Sequence, residues 1–361
     1  MIRIDRSEEP AELRKARRRR LAQAWLAYKA SSQVVFDDYD VARTALYDAQ
    51  GRKCAYCERQ QGLEGQAVEH FRPKGGVDGG DPRRYFWLAW TWKNLLFACT
   101  TCNCKPLKGN KFPLEPGTLP LPLPTCLEVL AGQGPAFDLE AEHPMLIDPS
   151  REDPMDHIVW RPENLEDAPG ALRWRPMHKS LRGKEVIGIF QLRGDLAVQA
   201  GDYIISHVQP DIVSIRFKMV ANDRDGIQRK WRGLLRKLFS KLAPYQAASY
   251  GALDFLVSAD DRKMWGLDLP RPGRRAEPHV SLELADSPKL AQMPEWVRLE
   301  VRADKMNTDQ LVLMLCRQCP WTEPELVQVL DRAAGTIAAA RRTLVTAKQL
   351  KSTPGGFVTI P

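Results

Sequence analysis

Cys54-Ala55-Tyr56-Cys57 and Cys99-Thr100-Thr101-Cys102 bracket a segment that carries Val68-Glu69-His70-Phe71-Arg72-Pro73, then Trp92-Lys93-Asn94-Leu95, with Asn103 directly after the last cysteine. Two residues between paired cysteines allow a tight turn to present both sulfurs to one ion. Two such pairs supply the thiolates of a closed tetrahedral zinc site. Four unrelated buried thiols would not account for the repeated spacing. Four sulfurs fill the shell, so zinc held by Cys54, Cys57, Cys99 and Cys102 is structural and staples a segment too loop-rich to hold itself rigid.

Composition sets the frame around that segment. A chain of 361 residues predicts two or three units, and an apolar fraction of 43% is enough for ordinary cores. The formal net charge of +8 favours an anionic partner such as nucleic acid, although charge alone is a weak signal. The beginning, MIRIDRSEEPAELRKARRRR, has no apolar core of the length a secretory signal needs. No run approaches the roughly 18 apolar residues of a membrane span. A cytoplasmic protein without membrane association is therefore expected, in which eight cysteines act as metal ligands or buried thiols rather than disulfides.

Outward from the cysteine bracket, the chain divides into four expected regions. Residues 1–36 hold a basic helix over 8–30, with Pro10 in its first turn and Leu13, Leu21, Ala24, Trp25 and Tyr28 recurring at helical spacing. Its Arg17–Arg20 run reads as a solvated face, with phosphate contact or partner docking as the alternative. Residues 37–117 form the zinc-containing module, preceded by a helix that stops at Gly51 and interrupted by a glycine-rich loop at 75–82. A proline-dense stretch at 113–125 marks the first boundary. Residues 118–263 mix strand-like pieces (HIVW, ALRWR) with helices. Residues 264–361 comprise a Pro- and Arg-rich linker over 264–290 and a helical tail in which Thr322 caps a helix entered through Pro324.

The chemistry concerns what the staple holds. A histidine has an ordinary pKa of about 6.5, so His70 can take a proton from water near neutral pH. In an extended segment Glu69 points to the opposite side, where it could bind a hard cation. Asn103 sits at a helix start fixed by zinc and supplies a second contact. The Asn94 amide is better suited to pinning the loop around His70. A divalent ion held by few protein groups keeps positions open for a phosphate oxygen and a leaving oxygen, as phosphodiester cleavage demands. Arg72, Lys74, Lys105 and Lys108 are candidate nucleic-acid contacts around that site.

These residues resemble an HNH endonuclease of the zinc-stapled, ββα-metal type. The resemblance implies an α+β fold flanked by mainly helical regions, with His70 as general base, Glu69 and Asn103 as ligands of a catalytic Mg²⁺ or Mn²⁺, and Asn94 organising the loop. One departure is Glu69, since most such nucleases have Asp or His before the base. CAYCE, VEHFRPK, YFWLAWTWKNLLFACTTCN, KFPLEP and MLIDPSREDPMDHIVW, followed by a helix ending in Phe190-Gln191-Leu192-Arg193, are similar to the nuclease component of Septu-type anti-phage systems. That similarity spans roughly residues 40–235 and implies a DNA substrate and an ATPase partner. No GxxxxGK[ST] motif marks an ATP site in this chain.

Other readings compete. A zinc-stapled module that binds nucleic acid or a partner without cutting would explain the cysteines and the charge, and the residues do not exclude RNA. Asp156-His157 repeats part of the motif without cysteines or a spaced Asn and reads as a strand edge. Tyr85, Phe86, Trp87, Trp90 and Trp92 read as core rather than as base-stacking groups. Cys316-x-x-Cys319 lacks a partner pair and reads as buried thiols.

Overall fold

The computed structural model describes residues 1–6, 8–165, 168–273 and 287–360. Part of the expected linker over 264–290 therefore lies outside the described residues. Helix α1 (Ala11–Lys29) follows Pro10 and buries Leu13, Leu21, Ala24 and Trp25 along one face. The arginine run is solvated only in part, with Arg19 exposed and Arg17 buried. Arg17 is buried against Glu9, and Arg19 and Arg20 both close on Asp38 Oδ2 at 2.7 Å. A 3-10 turn over Asp40–Ala42 leads into α2 (Arg43–Ala49). Gly51 ends it at a φ of +62°, where a Cβ would overlap the Lys241 carbonyl.

The cysteine-bracketed module is built on an antiparallel pair, β1 (Ala67–His70) and β2 (Leu95–Ala98). Their register sets Glu69 opposite Leu96 and His70 opposite Leu95. The short helix α3 (Thr100–Asn103) follows β2 directly, with Cys99 at its N-cap. The connection from β1 to β2 turns sharply at Gly76, whose φ of +88° and contact with Pro82 admit no side chain. Tyr85, Phe86, Trp87, Trp90 and Trp92 are all buried, and they form core rather than a stacking platform.

The first core does not stop at the proline-dense stretch. Leu114 bridges Pro144, Leu121 is buried, and α4 (Cys126–Ala131) joins the same apolar cluster as β1, β2 and α1. The hairpin β3 (Ile158–Leu165) and β4 (Ala168–His178) follows, then α5 (Leu181–Ile189). Asp156-His157 belongs to the approach to that hairpin: His157 bonds Ser180 and Glu152, and Asp156 pairs with Arg271.

A second core gathers α6 (Asp195–His207), α7 (Gln209–Val220), α8 (Arg224–Leu238), α9 (Gln246–Leu256) and α10 (Ala259–Trp265) against the hairpin. Helix α8 shows why: Ile227, Trp231, Leu234 and Leu238 lie on one face and are buried, while its Arg and Lys side chains face out. A third core holds α11 (Pro288–Ala291), α12 (Glu295–Ala303), α13 (Thr308–Gln318), α14 (Glu323–Leu330) and α15 (Ala334–Thr346). Thr322 and Glu325 form a capping box with Pro324 in the first turn of α14. Helix α12 also packs along α1, and its Leu299 and Ala303 enter the first core. A terminal hairpin, β5 (Leu350–Thr353) and β6 (Gly356–Thr359), closes this unit against Trp321. The sequence reading missed that hairpin, although Pro354-Gly355 is a turn signal between two short β-compatible runs.

Candidate metal centre and polar pocket

Backbone hydrogen bonds bring the two cysteine pairs together. Ala55 N–H donates to the Phe97 carbonyl at 3.0 Å, which docks the 54–57 turn on β2. Gln50 braces the same place: its Nε2 donates to the carbonyls of Lys53 (3.0 Å) and Phe97 (2.7 Å), and its Oε1 accepts from Phe97 N–H. The sulfurs of Cys54, Cys57, Cys99 and Cys102 consequently all lie within 4.8 Å of one another. Cys57 and Cys99 are 3.9 Å apart. A tetrahedral shell with zinc–sulfur bonds of about 2.3 Å places its sulfurs about 3.8 Å apart, so the cluster fits zinc. Cys54, Cys99 and Cys102 are buried and Cys57 is partly so. Four thiolates at this spacing need a cation to balance them.

Beside β1 lies a cavity of about 260 Å³ whose lining includes Glu69, His70, Lys74, Asn103 and Asn110. The expected base, acid and carboxamide thus line one cavity, so Glu69 is not turned to the side opposite His70 as its place in an extended segment predicts. Its walls nearly enclose Glu69 and His70, which are 3% and 4% exposed. His70 Nε2 lies 2.9 Å from the Ala89 carbonyl. A carbonyl only accepts, so Nε2 carries the proton and Nδ1 keeps its lone pair. Nδ1 lies 3.5 Å from Lys74 Nζ, and the edge of Tyr39 packs against the ring at 4.6 Å. Burial first, and the Lys74 charge second, hold the imidazole well below its ordinary pKa, so it is neutral near pH 7.

Asn94 fixes the loop that orients this histidine. Its Oδ1 accepts from Arg72 N–H at 2.8 Å, and its Nδ2 donates to the carbonyls of Arg72 (3.0 Å) and Leu88 (3.2 Å). Leu88 precedes Ala89, whose carbonyl meets His70. The carboxamide of Asn94 therefore points into main chain and away from any cation.

Two of the expected nucleic-acid contacts are internal. Arg72 is fully buried: Nε lies 2.7 Å from Glu142 Oε2 and Nη2 donates to the Leu139 carbonyl at 3.0 Å. Lys108 is also fully buried, 2.6 Å from Glu69 Oε1 and 2.9 Å from the His70 carbonyl. Neither can form part of a phosphate-binding rim, because each already neutralises a carboxylate out of water. Lys74 is half-buried over the Tyr39 ring at 4.5 Å, and Lys105 is exposed beside Asp78 at 3.2 Å. Those two remain at the surface or the cavity.

Lys108 as the partner of Glu69 was not visible in the sequence. Its main chain is tied to the cysteine turn, since Lys108 N–H donates to the Cys102 carbonyl at 3.3 Å and Gly109 N–H to that of Asn103 at 3.1 Å. Tyr56 O–H also reaches Glu69 Oε1, at 3.3 Å. Both contacts fall on Oε1. Burial raises the Glu69 pKa, opposed by the Lys108 charge. The Ala89 carbonyl acts through main chain, so no residue type could have signalled it.

Fold and site together describe a helical protein with small antiparallel sheets, a four-cysteine centre suited to zinc and an adjoining polar cavity. Among the described residues no helix is long and apolar enough to cross a membrane. Over 115 residues the chain is 32% identical to the Septu protein PtuB of Bacillus mycoides (strain KBAB4), a stretch covering 30% of this chain and 35% of that protein. No family model matches the chain, and no solved structure does.

Proposed function

We propose that this chain is a metal-dependent HNH-type endonuclease that hydrolyses phosphodiester bonds, with DNA as the favoured substrate. The observation that carries the reading is the single cavity shared by Glu69, His70 and Asn103 beside the four-cysteine cluster. The order β1, β2, α3 matches the ββα arrangement that the HNH resemblance implies. Local similarity to a Septu protein supports a role in anti-phage defence, with an ATPase as the partner that the same resemblance implies.

In this reading His70 is the general base. Nδ1 takes a proton from a water molecule, whose oxygen attacks phosphorus as the bond to the 3′ oxygen breaks. The departing oxygen takes up a proton from solvent. Ala89 and Asn94 hold the imidazole in the tautomer that keeps the lone pair on Nδ1, and the Lys74 ammonium at 3.5 Å would have to give way for a water to reach it. Glu69 Oε2 and the Asn103 carboxamide oxygen are hard donors of the kind that Mg²⁺ and Mn²⁺ prefer. Such an ion would neutralise charge on the phosphate and the leaving oxygen. Lys74, half-buried at the cavity, would contact a phosphate oxygen in this reading.

One observation favours a second reading, a zinc-stapled nucleic-acid-binding or adaptor module that does not cut. The Lys108 ammonium already sits on Glu69, and both candidate catalytic side chains are nearly enclosed. Plasmid cleavage with Mg²⁺ or Mn²⁺ separates the two, comparing wild type with His70→Ala and Asn103→Ala, in the presence and absence of an ATPase partner. Cutting by wild type alone supports the nuclease. Equal cutting by wild type and His70→Ala removes His70 from the mechanism, and no cutting under any condition favours the adaptor.

A further inference from the structure

A second cavity, of about 390 Å³, opens where residues 2–6, the end of α2 and the α8–α9 connection meet. It shares no lining residue with the Glu69–His70 cavity. Arg3, Arg6, Lys53 and Lys241 line it against one acid, Asp5. Ile2 and Phe239 contribute apolar wall.

The cations of this cavity are under-compensated. Lys53 is 4% exposed; its ammonium meets one hydrogen-bond acceptor among the described residues, the Ala243 carbonyl at 2.9 Å, and the nearby Glu58 carboxylate that acts on it is shared with the Met1 ammonium. Arg3 Nε is buried and has no partner. Neither Arg3 nor Lys241 has a carboxylate partner among the described residues. Arg6 is different: it donates to the carbonyls of Trp92 (2.8 Å) and Leu95 (2.6 Å) and so fixes the cavity to the start of β2. Taking an ammonium out of water with a single carbonyl acceptor is unfavourable unless an anion completes its shell.

We propose that this cavity binds a small phosphate-bearing anion through a terminal phosphoryl group. Arg3 supplies the planar fork that suits two phosphate oxygens, and Lys53 supplies a point charge at the buried end. Ile2 and Phe239 leave room for a modest organic moiety. A terminal phosphate is favoured over a phosphodiester within a polymer, because sugars on both sides would keep the latter from reaching buried Lys53. The occupant would join residues 241–246, the first residues of the chain and, through Arg6 and Gln50, both ends of β2. It would thereby link the helical core to the cysteine module.

The test uses the full chain with inorganic phosphate and pyrophosphate, titrated at constant ionic strength by thermal melting and by ³¹P line broadening. The expected result is a saturable rise in melting temperature, larger for pyrophosphate, since a ligand that binds only the native state stabilises it. Arg3→Gln and Lys241→Gln should each weaken binding about tenfold. Lys53→Met should weaken it at least as much, and the other two variants keep the test decisive if that one does not fold. Absence of saturable binding, or equal affinity in wild type, Arg3→Gln and Lys241→Gln, overturns the proposal. Binding confined to a duplex oligonucleotide and lost in the same variants also overturns it, in favour of a nucleic-acid contact.

Discussion

Replacing Arg72 by Met removes the cation from a pair whose side chains are both 0% exposed. Two hydrogen bonds go, the one from Nε to Glu142 Oε2 at 2.7 Å and the one from Nη2 to the Leu139 carbonyl at 3.0 Å. Contacts with the faces of Phe71 and Phe112, at 5.7 and 5.5 Å, go as well. Glu142 keeps the Tyr85 hydroxyl and the Leu121 N–H, but both donate to Oε1, so Oε2 is left charged, buried and without a donor. Breaking a buried pair from one side costs about 3–5 kcal/mol, most of it the desolvation of the abandoned charge. Restoring neutrality should return part of that cost. The double variant Arg72→Met/Glu142→Gln keeps an acceptor for Tyr85 and Leu121 and should recover about 1–2 kcal/mol over the single variant. Urea unfolding followed by tryptophan fluorescence measures both differences. A loss for Arg72→Met below about 1 kcal/mol would be that of an exposed ion pair and would refute the argument. A stable Arg72→Met that instead binds nucleic acid more weakly would reinstate Arg72 as a rim contact.

Chelation of the four-cysteine centre, or Cys57→Ser, should unfold the module, because structural zinc contributes on the order of 10 kcal/mol; unchanged melting after metal removal would sink the staple. Asn94→Ala should cost about 2–3 kcal/mol by orphaning the N–H and the carbonyl of Arg72, and hydrogen exchange at Arg72 should speed up accordingly. Lys108→Met should cost about 3–5 kcal/mol, with part of the loss recovered by adding Glu69→Gln; a fully stable single variant would mean that Glu69 does not need its counter-charge. Iodoacetamide at neutral pH should modify exposed Cys104 quickly and Cys316 slowly, since burial pushes the Cys316 thiol up to about 12 and leaves little thiolate, and peptide mapping reads the two rates.

The readable parts of this chain are those where residue type and short spacing suffice. Two CxxC turns announce a common centre, Leu13, Leu21 and Trp25 announce the buried face of α1, and Thr322-Glu323-Pro324-Glu325 announces the start of α14. Glu69, His70 and Asn103 do face one cavity, because the spacing around Cys99 and Cys102 fixes where α3 begins relative to β1. The proline-dense stretch misled for a physical reason. Prolines forbid regular structure at 113–125 but do not forbid burial, and Leu121 carries the first core across the expected boundary.

Charge is where local reading fails, and the failure has one cause. A sequence gives the sign of each side chain, whereas the fold decides whether an opposite sign lies within reach. Arg72 and Glu142 are separated by 70 residues, and the segment after α4 carries the acid back to the loop that follows β1. Arg19 and Arg20 likewise spend their charge on Asp38, at the far end of the turn after α1. Lys108 is the most consequential case. Its main chain hangs from the Cys102 turn, so whatever orders the four sulfurs also orders the ammonium that holds Glu69 by one oxygen. The extra methylene of glutamate, compared with aspartate, gives the carboxylate reach to meet Lys108 and Tyr56 with Oε1 while the residue lines the cavity. In this protein the cysteine centre therefore governs both donors proposed for a cation: Asn103 through α3, and Glu69 through Lys108.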